Sequence, residues 1–90
     1  MIIEISRLDL SVIETDLRRL FTPFGEVSSV EIVRDRMNNR SKGKAVIVMP
    51  VRKQAELAVF TLNGHSISGK SIVVTLVASS GEDERKSILA

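Results

Sequence analysis

Five cations, Arg34, Arg36, Arg40, Lys42 and Lys44, fall in one short stretch of the chain against a single acid, Asp35. Clustered base of this kind attracts phosphate even where the total charge is small, as here at +2. The acidic run Glu82, Asp83 and Glu84 lies far downstream. Other chemistry has little to work with. Cysteine is absent and His65 is the single histidine, which leaves no disulfide or thiolate site and argues against zinc. No nucleophile is spaced with a base. The reading is a non-enzyme with no catalytic residue, no metal site and no cofactor.

One phosphate motif is spelled out in Gly64-His65-Ser66-Ile67-Ser68-Gly69-Lys70-Ser71, which matches Gly-x4-Gly-Lys-Ser. That loop works only between a strand and a following helix, whose free amides meet the phosphates. Here a helical pattern precedes it and a strand pattern follows. A tight turn into the last strand is expected, with His65 at the surface and no bound nucleotide.

Ninety residues with 43% hydrophobic and 27% charged side chains suit one small domain with a packed core. No apolar run is long enough to span a membrane, and the opening residues lack a signal peptide's pattern, so no membrane partner and a cytoplasmic location are expected. Ile2-Ile3-Glu4-Ile5-Ser6 alternates as a strand. From Glu14, Leu17, Leu20, Phe21 and Phe24 recur at helical spacing, closed by Pro23 and Gly25. Ile13 stands where a capping Ser or Thr would be usual. Residues 27–34 form a second strand with Val30 and Ile32 inward and Glu31 and Val33 outward.

Arg36 to Ser41 is polar and rich in turn formers, so a mobile connector is expected there. Gly43 to Met49 is a third strand. Val51 to Leu62 is a second helix with Ala55, Ala58, Val59 and Leu62 as its buried stripe, flanked by Leu57 and Phe60. Asn63-Gly64 ends it, and Ile72 to Val77 is the last strand. Phe21, Phe24 and Phe60 are all expected in the core, leaving no aromatic ring outside it. The order β-α-β-β-α-β implies an α+β, ferredoxin-like sandwich: two helices on one face of a four-stranded antiparallel sheet, the other face open. The domain is expected over residues 1–78, with 79–90 as a polar tail, either disordered or a short docked helix.

These motifs carry a resemblance. The chain resembles an RNA-recognition motif from residue 2 to about 78, and small stand-alone bacterial members of that family in particular. Ile3-Glu4-Ile5-Ser6-Arg7-Leu8 falls on the family hexapeptide and Lys42-Gly43-Lys44-Ala45-Val46-Ile47-Val48-Met49 on its octapeptide. The first helix with its exit through Pro23-Phe24-Gly25, and the Leu62-Asn63-Gly64 that closes the second, fit as well. The resemblance implies binding of single-stranded RNA on the open sheet face.

The departures fall on the binding positions. Where the family stacks bases on aromatic rings, this chain has Glu4, Lys44 and Val46. Each platform is worth roughly 1–3 kcal/mol, so losing all of them removes on the order of two to six decades of affinity. RNA binding is therefore expected to be weak and mainly electrostatic. Its candidate residues are Arg7, Arg34, Arg36, Arg40, Lys42, Lys44 and Val46, with Arg52 a weaker one. Lys44 is expected to pair with Glu4 and Glu31 across neighbouring strands. The alternative is a protein-interaction or self-association module that uses Glu4, Glu31, Val33, Val48, Val73 and Val77 on the sheet, with a protein partner or a second copy as occupant.

Overall fold

Strand β1 (Ile2–Ser6) buries Ile3 and Ile5 completely and leaves Glu4 exposed, the period-two pattern of a sheet covered on one side. The same alternation runs through β2 (Ser29–Arg34) and β3 (Ser41–Val48), where Ile32, Ala45 and Ile47 face inward. The computed structural model describes residues 1–78. The expected tail 79–90 lies outside the described residues. Two helices, α1 (Glu14–Phe21) and α2 (Arg52–Leu62), cover the inner face. A two-residue pair, β4 (Ser66–Ile67) and β5 (Lys70–Ser71), precedes β6 (Val73–Ala78). The main sheet is antiparallel throughout in the order β2-β3-β1-β6. This is the ferredoxin-like α+β sandwich.

Helix α1 begins without a side-chain cap from Ile13, but Asp16 reaches back to accept the Ile13 N–H at 3.1 Å. Half of a capping box thus satisfies one otherwise orphaned donor. Leu17 and Phe21 are fully buried, and a 3-10 turn at Thr22–Phe24 ends the element where Pro23 removes a donor. Strands β2 and β3 begin at Ser29 and Ser41, each two residues from the expected starts at 27 and 43.

The stretch between β2 and β3, expected as a polar connector, carries its own hydrogen bonds. Asp35 N–H donates to Arg40 O, Asn39 N–H to Asp35 O, and Met37 N–H to the Asp35 carboxylate, each at 2.8 Å. Asn39 takes a positive φ of 58°, a conformation asparagine tolerates. The segment is a hydrogen-bonded turn. Residues 64–71 form the β4–β5 hairpin, with Ser68 and Gly69 both at positive φ as a primed turn requires. Helix α2 precedes this hairpin and β6 follows, so the strand-loop-helix order of a phosphate loop is absent there.

One core expectation is wrong. Phe60 is 87% exposed and Leu57 54% exposed, whereas Ala55, Ala58 and Leu62 are buried. Phe60 stands two residues from both Ala58 and Leu62, about half a helical turn from each, so it cannot share their face. Helix α2 carries two interleaved apolar sets, and the sheet admits only one. Phe60→Ser should therefore change the unfolding midpoint little, whereas Phe21→Ala should cost about 3–5 kcal/mol in a urea titration.

Candidate nucleic-acid interface

The open face has a polarity along its strands. Across its middle runs the row Glu31, Val46, Glu4 and Thr75, set by direct cross-strand pairing in the order β2, β3, β1, β6. Two carboxylates thus flank the half-buried Val46, and both are exposed. The next row, towards the start of β3, pairs Val33 with Lys44. Glu4, Lys44 and Val46 all point to the open side, as alternation requires. Val33 and Val48 are half-buried there, and Val73 and Val77 are 39% and 53% exposed.

This register corrects the pairing expected for Lys44. Glu4 and Glu31 lie opposite Val46, one row away, and no salt bridge to Lys44 forms among the described residues. Among the described residues, no carboxylate holds the Lys44 ammonium. Arg34 needs a second correction. It lies on the same side of β2 as Ile32, and its guanidinium meets Glu14 at 3.1 Å beside the start of α1. That ion pair draws Arg34 towards the helix layer and away from the open face. Arg36 and Arg40 remain exposed on the turn beyond it, and Arg52 is exposed at the start of α2 in the helix layer.

A knot of backbone geometry shapes the basic end. The pairing of β2 with β3 jumps from Val33–Lys44 to Arg34–Ser41, so β3 carries a bulge at Lys42 and Gly43. Gly43 sits at φ 76°, and a Cβ there would meet the Leu8 carbonyl oxygen at 3.1 Å. Its own carbonyl accepts the Leu8 N–H at 2.9 Å, and its N–H donates to the Ser41 hydroxyl at 3.1 Å. Leu8 is thereby pulled into the core, 2% exposed. The chain between paired Ser6 and anchored Leu8 must turn sharply, and Arg7 makes the turn at φ 62° with its side chain exposed. Such a conformation is uncommon for a side chain other than Gly, Asn or Asp.

The result is an open groove of about 720 Å³ at this end of the sheet. Arg7, Lys42, Lys44 and Lys70 line it, with Leu10 and the backbone of Gly43 and Gly69. Lys70 comes from the β4–β5 hairpin and Leu10, 61% exposed, from the β1–α1 connector. Neither was foreseen as a binding residue. Lys70 stood in the phosphate-loop spelling, but that motif named the wrong geometry for it. Beside the groove, Asp9 presents Oδ1 to the Lys70 ammonium at 3.8 Å. Its Oδ2 accepts from the Ser11 hydroxyl and, at 3.0 Å, from the Ser11 N–H. These hydrogen bonds from Ser11, with a smaller contribution from Lys70, hold the Asp9 carboxyl below the usual carboxylate range.

Fold and face together define an open-faced sandwich whose sheet is basic at one end and acidic at its middle. A model of the RNA recognition motif matches residues 3–73. The chain belongs to the RNA recognition motif family. Among curated relatives, the U11/U12 small nuclear ribonucleoprotein 31 kDa protein of Arabidopsis thaliana is 30% identical over 77 residues, covering 86% of this chain and 30% of its own. The chloroplastic Organelle RRM domain-containing protein 1 of Zea mays is 37% identical over 70 residues, covering 78% of this chain and 18% of its own. The chain thus spans less than a third of the length of these relatives. Among solved structures, the RNA Binding Protein PG1 superposes with a TM-score of 0.84 at 28% identity, covering 88% of this chain and 95% of that one. A Sex-lethal protein/RNA complex shares the fold, with a TM-score of 0.82 at 23% identity over 90% of this chain and 48% of its own.

The knot generates a pair of opposite outcomes. Gly43→Ala should destabilise by about 1–3 kcal/mol, because alanine at this φ is strained and its methyl meets the Leu8 carbonyl. Arg7→Asn should leave stability unchanged or raise it by up to about 1 kcal/mol, since asparagine accepts the left-handed region. Chemical denaturation of both variants checks the contrast.

Proposed function

We propose that this chain binds single-stranded RNA, weakly and chiefly through charge, with the RNA backbone lying over the basic end of the open face. The observation that carries this reading is the polarity of that face. Arg7, Lys42, Lys44 and Lys70 gather around one groove, while Glu4 and Glu31 flank the position where a base would otherwise stack. Arg36 and Arg40 extend the positive field from the neighbouring turn. Membership of the family supports RNA as the ligand, and so do the ribonucleoprotein and the RNA complex among its relatives. Binding of this kind is non-catalytic.

Electrostatics sets the expected signature. Each phosphate held adds about 0.7 to the slope of log affinity against log salt for a single strand. Three or four contacts give a slope of roughly −2 to −3 and an affinity on the order of micromolar at low salt. Base identity should alter it little, because neither Glu4 nor Val46 offers a ring to stack upon. A titration of short labelled RNAs across a salt series tests this. Reversing charge at Arg36 and Arg40 should abolish binding. If the wild type fails to bind at low salt while its mass grows with concentration, the alternative takes over: a protein-interaction or self-association module using Val73, Val77 and their neighbours.

Restoring the missing platforms tests the account of specificity. Glu4→Tyr with Val46→Phe removes one carboxylate from the middle row and adds two rings, each worth about 1–3 kcal/mol of stacking. Affinity should rise at least about tenfold, and the salt slope should stay near its original value because the new contacts are apolar. An unchanged affinity would show that bases never reach the sheet centre.

A further inference from the structure

We propose that the β4–β5 hairpin is part of the RNA site: Lys70 holds a backbone phosphate there, and Asp9 occupies Lys70 in the free protein as an internal stand-in for that phosphate. This rests on the RNA-binding reading and goes beyond it in naming a subsite, a path and a competitor. The hairpin leaves α2 and re-enters the sheet at β6, so it borders the end of β1 where Arg7 emerges. Its primed turn at Ser68 and Gly69 places Lys70 immediately after the bend, lining the groove shared with Arg7, Lys42 and Lys44. A strand of RNA that avoids Glu4 and Glu31 therefore runs along the row of lysines and leaves the sheet past the hairpin.

The Asp9 carboxylate is built for the role of competitor. Ser11 engages Oδ2 through two donors, which fixes the carboxylate and leaves Oδ1 facing Lys70. At 3.8 Å, and with both side chains part-exposed, the pair is a loose one. A phosphate carries the same kind of anionic oxygen and can be held by several groove cations together. The ligand wins the exchange, and Asp9 lowers the affinity of the site by holding one of its cations and by repelling the incoming charge.

The test uses the wild type, Lys70→Gln, Lys70→Arg, Asp9→Asn and the double variant Asp9→Asn/Lys70→Gln. Each is titrated with a short 5′-labelled oligouridine between about 50 and 200 mM salt. Lys70→Gln should flatten the slope by about 0.7, a change worth roughly 2.5-fold in affinity across this range. Lys70→Arg should retain the slope. Asp9→Asn keeps an oxygen acceptor for Ser11 and should tighten binding about two- to fivefold, the scale of an exposed ion pair. In the Lys70→Gln background most of that gain should vanish, an interdependence that a merely structural role for Asp9 would not produce. With Lys44→Ala titrated in parallel as a control, the subsite is refuted if Lys70→Gln leaves the slope unchanged while Lys44→Ala flattens it, a result under which RNA binding itself still stands. It is refuted also if Asp9→Asn tightens binding equally with and without Lys70. Failure of the wild type to bind the oligonucleotide at all would remove both the subsite and the RNA reading.

Discussion

Strand β3 is gripped on both edges, by β1 and by β2, and its two-residue alternation divides the protein into an interior and a working surface. Ala45 and Ile47 lie opposite Ile5 and Ile3 on one neighbour and Ile32 and Val30 on the other. A slip of one residue would turn these apolar side chains to water and drive Lys44 and Val46 into the core. Burying Lys44 unpaired would cost more than most exposed contacts return. The inner row thus enforces the outer one. Glu4, Lys44 and Val46 face solvent because Ile3, Ile5, Ala45 and Ile47 cannot.

That division explains how an RNA-recognition scaffold tolerates so altered a binding face. Stability resides in Phe21, Leu17 and the isoleucines between sheet and helices, all buried beneath the sheet's inner face. The outward positions of the sheet contribute little to that core, so they are free to exchange rings for a carboxylate, an ammonium and an isopropyl group. What changes is the kind of ligand force available. These positions offer charge in place of ring surface, and Coulomb attraction in general reaches further, discriminates less and fades with salt.

The basic end shows backbone geometry dictating electrostatics. Gly43 permits a bulge, the bulge offers a carbonyl to Leu8, and the anchored Leu8 forces Arg7 into a left-handed turn at the groove. The Leu8–Gly43 hydrogen bond joins the segments around Arg7 and Lys42, and the pairing of Ser6 with Val73 brings the hairpin that carries Lys70 alongside them. The cations repel one another, and their assembly persists because the neutral framework is stronger than an exposed repulsion of this size.

Much of this was legible beforehand. Periods of two and about 3.6 marked the four long strands and both helices, and the hexapeptide and the glycine-bearing octapeptide pointed to the family. Which positions face outward on β1 and β3 followed from alternation alone. Periodicity picked the buried stripe of α2, Ala55, Ala58, Val59 and Leu62, but not its width: hydrophobicity alone placed Phe60 in the core as well, and the sheet beneath leaves it exposed. Nor could periodicity give the row-by-row register that puts Val46 between the two glutamates and sets Lys44 one row away from both. Arg34 read as one more cation of a basic run until Glu14, from another element, was seen to claim it. Side-chain identity and local repeat are properties of the linear chain, so they announce the scaffold. Partnership between residues far apart depends on where the layers close, and the final arrangement of Lys70, Asp9 and Arg7 belongs to that closure.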